Sequence, residues 1–197
     1  WCSNPESQHT FPEIAHSTAL CTQCGNCLEA CSLQAISPAS KGIKIDRERC
    51  DNCLKCLDVC YYGALKVFGK ELKINEVFAE ISKDTTYYVN SGGGVTVSGG
   101  EPLLQASFVI PFLEQCHSAG ISTAIDTCGY ASYAVMAQSL PYTDLILYDL
   151  KHMDSRIHAG LTGVANELIL GNMKLLAKSG IAMIARVPLI PGINDSI

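Results

Sequence analysis

The sequence predicts an α/β fold joined to a small cysteine-rich module. Between residues 94 and 187, short β-branched and aliphatic runs alternate with helical patterns, giving four successive β-α units. Such alternation requires a parallel sheet with right-handed crossovers. Eight of the 11 cysteines lie between residues 21 and 60, apart from those units. Periodicity alone leaves open whether the sheet is doubly wound or part of a barrel.

Composition limits the classes of partner. The chain has 197 residues with 48% hydrophobic content, enough for one core and a small module. A net charge of -5 argues against nucleic acid, because phosphate binding needs clustered lysine and arginine. No apolar run approaches the roughly 18 residues of a membrane span. An odd number of closely spaced cysteines makes a poor disulfide framework, so we expect a reducing, cytoplasmic setting.

The elements are predicted in chain order from local signals. Residues 1–19 are polar, include two prolines and predict a loop. After the cysteines, Val77, Phe78 and Ile81 predict a packing helix capped by Asn75. The four predicted strands span residues 95–97, 121–125, 144–150 and 181–187, and the helices between them span 103–118, 130–140 and 165–178. Glycine or proline follows each of these helices.

The cysteine-rich segment is an internal repeat. Two copies of C-x2-C-x2-C-x3-C stand 29 residues apart, a pattern typical of paired 4Fe-4S clusters in which the fourth cysteine of each copy ligates the other cluster. The predicted ligands are Cys21, Cys24, Cys27 and Cys60 for one cluster, and Cys50, Cys53, Cys56 and Cys31 for the other. Zinc is the alternative, although structural zinc sites normally take two close ligands from each of two knuckles. Ser32 and Tyr61 stand where such motifs usually have proline.

A glycine-rich turn follows the first strand of the β-α units. Gly99 and Gly100 permit positive φ or close approach to a ligand, and Glu101 then stands at the carboxyl end of a strand. Parallel α/β folds place ligand groups at that edge, so Glu101 could bind an ammonium group. The alternative is that Glu101 only complements the dipole of the following helix.

Other charged residues follow the remaining strands. They are Asp126 with Thr127, Asp149 with Lys151, and Arg186. A guanidinium without a partner would be costly to bury in the apolar run around Arg186, which favours a functional role for this residue. Lys151 remains open between a functional and a surface role. Cys116 and Cys128 are predicted packing residues, and the five histidines show no ligand spacing.

Several motifs together resemble the glycyl-radical-enzyme activating enzymes. These are radical S-adenosylmethionine (SAM) oxidoreductases of anaerobic metabolism, and the pyruvate formate-lyase-activating type with a two-cluster insert is the most similar subgroup. The motifs are WCSNPES at 1–7, the two cysteine motifs, GGGVTVSGGEP at 92–102, DTCGY at 126–130, YDLK at 148–151 and RVPLIPG at 186–192.

The resemblance implies a fold and a domain division. The fold is a partial (β/α)6 barrel lacking its first and last strands, with a ferredoxin-like insert. Residues 1–19 would be the remnant of the radical SAM cluster loop, 20–66 the insert and 67–197 the partial barrel. Cys2 would be the third cysteine of the C-x3-C-x2-C loop that holds the catalytic cluster. The chain would then be an internal fragment, inactive by itself, of a protein with three 4Fe-4S clusters.

The resemblance also implies roles for the residues at the strand ends. Gly99, Gly100 and Glu101 match the motif that binds the methionine amino group of SAM. Lys151 and Arg186 match positions that contact SAM. A monovalent cation near the methionine carboxylate would be held by Asp126, Thr127 and Asp149.

The activity implied is reductive cleavage of SAM to a 5′-deoxyadenosyl radical, which generates a glycyl radical on a partner enzyme. A flavodoxin or ferredoxin would donate electrons, and the insert clusters would relay them. Two alternatives stay open: a dicluster electron-transfer module fused to an α/β domain, and a radical SAM enzyme that acts on a small molecule.

Overall fold

The computed structural model describes residues 11–195. This part of the chain divides into two compact units, residues 11–71 and residues 72–195. The first is wider on both sides than the predicted insert of residues 20–66. Within the described residues, no helix is both long and apolar enough to cross a membrane.

The first unit consists of two short helices and two antiparallel strand pairs. Its elements are β1 (Glu13–His16), α1 (Asn26–Glu29), β2 (Ile36–Ala39), β3 (Gly42–Ile45), α2 (Lys55–Asp58) and β4 (Leu65–Phe68). Strand β1 pairs with β4, and β2 pairs with β3. The predicted loop over residues 1–19 is therefore wrong at Glu13–His16. The partner of β1 lies at the far end of the unit, so a local pattern does not reveal the pairing.

The 29-residue repeat extends beyond the cysteines. A shift by that spacing carries β1 onto β3, α1 onto α2 and β2 onto β4. Left-handed backbone recurs at the same spacing: the φ angles are 59°, 85° and 50° at Gln23, Gly25 and Gln34, and 54°, 63° and 62° at Asn52, Leu54 and Gly63. Each strand pair thus combines one strand from each copy. Ile14, Ile36, Cys56 and Leu65 form the buried core between them.

The second unit begins with two helices and continues as β-α units. Its elements are α3 (Ile74–Ile81), α4 (Thr85–Ser91), β5 (Gly94–Val97), α5 (Ala106–Ser118), β6 (Ser122–Thr127), α6 (Tyr133–Ser139), β7 (Leu145–Asp149), α7 (Ser155–Thr162), α8 (Glu167–Ser179) and β8 (Ala182–Arg186). A 3-10 turn at Pro102–Gln105 precedes α5. The sheet is parallel in the order β5-β6-β7-β8. The predicted α/β class is confirmed, and this sequential order without a reversal is that of a barrel segment.

The helices of the second unit cover the sheet with apolar side chains. Leu113 and Leu176 are fully buried with Ile125, Ile146 and Tyr148 in one core cluster. Cys116 is fully buried in a neighbouring cluster, as expected for a packing residue. Burying an aliphatic or aromatic side chain of this size contributes about 1.5–3 kcal/mol. Packing thus holds the carboxyl ends of the strands at one edge.

Two details of the helices differ from the sequence prediction. Asn75 is not the cap of α3 but lies inside that helix, which begins after Lys73. The Lys73 backbone N–H donates to the Glu76 carboxylate at 2.7 Å, because a glutamate three residues into a helix can reach back to its first free amide. Helices α4 and α7 were not predicted.

Candidate functional site

The loop after β5 presents Glu101 at the edge of the sheet. Gly99 has a φ of 141°, a conformation that disfavours every residue with a β-carbon. Glu101 then precedes the 3-10 turn, and its Oε1 accepts a hydrogen bond from the Leu103 N–H at 3.2 Å. The carboxylate therefore caps this turn, which is compatible with the alternative that it complements the dipole of the following helix.

Glu101 also has partners at the end of β6 and on the loop that follows it. The Thr127 hydroxyl lies 2.8 Å from both Glu101 carboxylate oxygens, and the Cys128 N–H donates to Oε2 at 3.0 Å. The Cys128 Sγ lies 3.1 Å from the same oxygen. Burial and the Glu101 charge raise the pKa of Cys128 to about 12, so the side chain is a thiol that donates to the carboxylate at neutral pH. Cys128 is therefore more than the packing residue that the sequence suggested.

The loop after β6 is itself held by α8 and β7. Asn172, buried on α8, donates from Nδ2 to the carbonyl oxygens of Gly129 and Ala131 at 2.9 and 2.7 Å. Gly129 has a φ of 75° and lies against the hydroxyl of the buried Tyr148. The Gly129 N–H donates to the Thr127 hydroxyl at 2.8 Å. These contacts fix Thr127 and Cys128 where they meet Glu101, and no sequence signal pointed to Asn172.

The remaining charged residues pair with one another. The register of β7 and β8 places Asp149 opposite Arg186, whose Nε donates to Asp149 Oδ1 at 2.8 Å. Arg186 Nη2 contacts Asp126 as well, and Lys151 Nζ lies 2.6 Å from Asp149 Oδ2. Burial would raise the pKa of Asp149, but the hydrogen bonds from Lys151 and Arg186 outweigh it and lower that pKa. Burial opposes the ionised form of Arg186, yet Asp149 and Asp126 raise its pKa above the usual value.

Two of the three residues to which the resemblance assigned a monovalent cation, Asp126 and Asp149, share Arg186 as a neighbour. Arg186 lies between the Asp126 and Asp149 carboxylates, while the Thr127 hydroxyl contacts Glu101. Asp126 and Thr127 are neighbours on one strand, where successive side chains point to opposite faces. The guanidinium supplies the positive charge between the two carboxylates here.

Eight cysteines of the first unit line two cavities. Cys21, Cys24, Cys27 and Cys60 line one, with about 390 Å³ of empty volume including open solvent. Cys31, Cys50, Cys53 and Cys56 line the other, with about 370 Å³. Three thiols of each set come from one copy of the repeat and the fourth from the other copy. All eight thiols are free of disulfides.

The donor chemistry of these cavities fits iron-sulfur clusters. Thiolate sulfur is the usual ligand of such clusters, and hydrogen bonds to sulfur tune their potentials. The Ala35 N–H lies 3.2 Å from Cys31 Sγ, and the Leu65 N–H lies 3.3 Å from Cys60 Sγ. Burial raises the pKa of Cys56 to about 11 in the metal-free chain, so this thiol would release its proton only on binding iron. Within residues 11–195, no group of three or more His, Cys, Asp or Glu side chains is arranged to hold a single metal ion. The thiols instead line the two cavities described above. Cys2 lies outside the described residues.

Comparison with known proteins identifies two families in the chain. The 4Fe-4S dicluster domain matches residues 20–70, and the radical SAM superfamily matches residues 58–197. Membership of these two families indicates iron-sulfur clusters and SAM as cofactors.

The relatives agree with these families. The isethionate sulfite-lyase activating enzyme of Nitratidesulfovibrio vulgaris is 40% identical over 203 residues, covering 100% of this chain and 66% of that protein. The (2S)-3-sulfopropanediol dehydratase activating enzyme of Klebsiella oxytoca is 42% identical, covering 100% of this chain and 64% of that protein. A crystal structure of a domain of pyruvate-formate lyase-activating enzyme from Bacteroides vulgatus matches 53% of this chain and 65% of that one, with 41% identity and a TM-score of 0.50.

The chain spans 66% of the length of the Nitratidesulfovibrio relative. The radical SAM match alone covers most of the chain, including the sheet, Glu101 and the charged residues at the strand ends. The chain belongs to the radical SAM superfamily, in the group of activating enzymes to which these relatives belong.

Proposed function

We propose that this protein activates a glycyl radical enzyme by reductive cleavage of SAM. The observation that carries the proposal is the Glu101 carboxylate, held at the carboxyl end of β5 by donors from the end of β6 and the loop after it. Bound SAM would supply a sulfonium C–S bond, and the iron-sulfur cluster would supply the one electron that breaks it, giving methionine and the 5′-deoxyadenosyl radical. The contribution of the chain is to bind and orient the substrate.

Glu101 is suited to bind the ammonium group of SAM. A carboxylate accepts at about four lone-pair positions, and four protein donors already meet Glu101, so an ammonium would replace one of them, most easily the weak thiol donor of Cys128. The contacts from Thr127 and Cys128 hold the oxygens in place before the substrate arrives. Less reorganisation is then needed on binding, which favours affinity.

Arg186 is suited to bind the SAM carboxylate. A guanidinium carries five N–H donors, and the contacts to Asp126 and Asp149 use Nε and Nη2. The Nη1 group can then donate to a substrate carboxylate. The proposed monovalent cation would compete with Arg186 for the same two carboxylates, so a dependence of SAM affinity on potassium concentration tests that part of the proposal.

The insert supplies electrons in this proposal. Cys21, Cys24, Cys27 and Cys60 would hold one 4Fe-4S cluster, and Cys31, Cys50, Cys53 and Cys56 the other. The two sets of thiols around separate cavities support this ligand assignment. A flavodoxin or ferredoxin is the proposed donor, and the partner is a glycyl radical enzyme of the lyase or dehydratase kind named for the relatives.

The test uses the full-length protein, reconstituted anaerobically. The Glu101→Gln variant removes the charge that meets the ammonium, so we expect SAM to bind about tenfold more weakly or worse, since hydrogen bonds to charged groups are worth about 1.5–3 kcal/mol. Glu114→Gln is the matched control, because Glu114 is exposed on α5 and an amide oxygen can still accept from Tyr142. Equal SAM affinity in both variants would contradict the role of Glu101.

The partner is tested separately from SAM binding. Electron paramagnetic resonance should detect a glycyl radical on an added glycyl radical enzyme, with stoichiometric methionine formation. SAM cleavage that produces no radical on any glycyl radical enzyme, but consumes a small molecule, would instead favour the alternative substrate class.

A further inference from the structure

His16, at the end of β1, has a buried nitrogen without a partner. Its Nε2 atom makes no hydrogen bond to any described residue and is shielded from solvent. A buried polar atom left unpaired costs about 1–3 kcal/mol, and native structures nearly always pair such atoms. The nitrogen therefore calls for a partner beyond the protein atoms described.

The location of the imidazole indicates that partner. His16 lines the same cavity as Cys21, Cys24, Cys27 and Cys60. A β-carbon at Gly42 would lie 2.8 Å from His16 Nε2 and 3.2 Å from Cys21 Sγ, so the ring and the thiol both border the space that Gly42 leaves open. Gly42 has a φ of 109° and belongs to β3, which comes from the other copy of the repeat.

The repeat provides an internal comparison. The residue that corresponds to His16 in the second copy is Ile45, which lines the second cavity. Ile43 of the first cavity corresponds in the same way to Ile14 of the second. At the position of His16, therefore, the first cavity has an imidazole and the second has hydrocarbon.

We propose that the His16 Nε2–H donates a hydrogen bond to a sulfur of the iron-sulfur cluster in the first cavity and raises the reduction potential of that cluster above that of the second. The proposal rests on the cluster ligands proposed above. Reduction adds negative charge to the cluster, and an N–H donor stabilises the sulfur that bears it, so the reduced state gains more than the oxidised state. His16 is then a tuning residue rather than a ligand.

Three variants of the reconstituted chain test the proposal by redox titration monitored with electron paramagnetic resonance. His16→Ile copies the second cavity into the first, and one couple should move to a more negative potential while the other stays. His16→Gln keeps an N–H donor and should move that couple less. Ile45→His adds a donor to the second cavity and should raise the reduction potential of the other couple. This variant still tests the proposal if the His16 variants fold poorly.

Iron and sulfide contents separate the possible failures. Wild-type chain without bound iron would refute the ligand assignment and the proposal with it. Full iron content with unchanged potentials in His16→Ile and Ile45→His would refute only the role of His16. Loss of iron from His16→Ile, with Ile45→His unchanged in both couples, would indicate that His16 holds the cluster and would also overturn the proposal.

Discussion

Replacing Gly129 with alanine should destabilise the second unit far more than the same change at a matched glycine. The added β-carbon would lie 1.8 Å from the Tyr148 hydroxyl oxygen and 2.3 Å from its Cζ. Tyr148 is fully buried, and its hydroxyl donates to the Ile169 carbonyl at 2.7 Å. The ring cannot withdraw without breaking that hydrogen bond.

The control is Gly180→Ala at the end of α8. Gly180 has a φ of 81° and Gly129 one of 75°, but a β-carbon at Gly180 would meet no atom within 4 Å. The control thus measures the cost of left-handed backbone alone, about 1–2 kcal/mol. Overpacking against Tyr148 adds about 1–3 kcal/mol at Gly129. For a chain of this length, the extra cost lowers the unfolding midpoint by roughly 2–12 °C relative to the control.

The assay is thermal unfolding of the metal-free chain followed by far-ultraviolet circular dichroism, with wild type, Gly129→Ala and Gly180→Ala side by side. Equal midpoints for the two variants would refute the reasoning, because they would show that the loop relaxes away from Tyr148 without cost. A double variant with Tyr148→Phe should recover part of the difference, since the closest contact is the hydroxyl oxygen.

Two further predictions concern neighbouring contacts. Asn172→Leu keeps the branched shape of the side chain but leaves the two loop carbonyls that it binds unpaired, so unfolding in urea should show a loss of about 2–6 kcal/mol, at about 1–3 kcal/mol for each buried group; an unchanged midpoint would mean that water replaces the amide. Asp149 has a lowered pKa in the folded chain, so its contribution to stability is present above the unfolded pKa of about 4 and is lost as the pH falls through the folded value. The free energy of unfolding of Asp149→Asn, measured from pH 7 to pH 3, should therefore fall less steeply than that of wild type, and parallel curves would contradict the pairing with Arg186 and Lys151.

Local signals were sufficient for the parallel strands but not for every helix. Strands β5 to β8 were predicted because β-branched and aliphatic runs are separated by glycine and proline. Helix α7 (Ser155–Thr162) was missed because its sequence is mixed in polarity. Its packing depends on the buried His158, whose ring nitrogen lies 2.7 Å from the Val164 carbonyl oxygen. A contact of that kind has no periodic signature.

The candidate site shows the same limit. Glu101 could be found from the glycines before it, since they mark the turn that follows a strand. Its contacts with Thr127 and Cys128 join residues far apart in the chain, and only the pairing of β5 with β6 brings them together. Likewise, the sequence marked Asp149 and Arg186 as functional charges, but the register that pairs them belongs to the sheet.

The exchange of strands between the two copies of the repeat bears on how the insert could have arisen. Each strand pair and each set of four thiols draws on both copies, so a single copy can complete neither. Two identical single copies associated as a symmetric dimer would complete both. The copies are joined between β2 and β3 by only Ser40 and Lys41, within one hairpin. Duplication and fusion of a half-sized gene would therefore convert such a dimer into this insert with a two-residue link, and would free the copies to diverge at single positions such as His16 and Ile45.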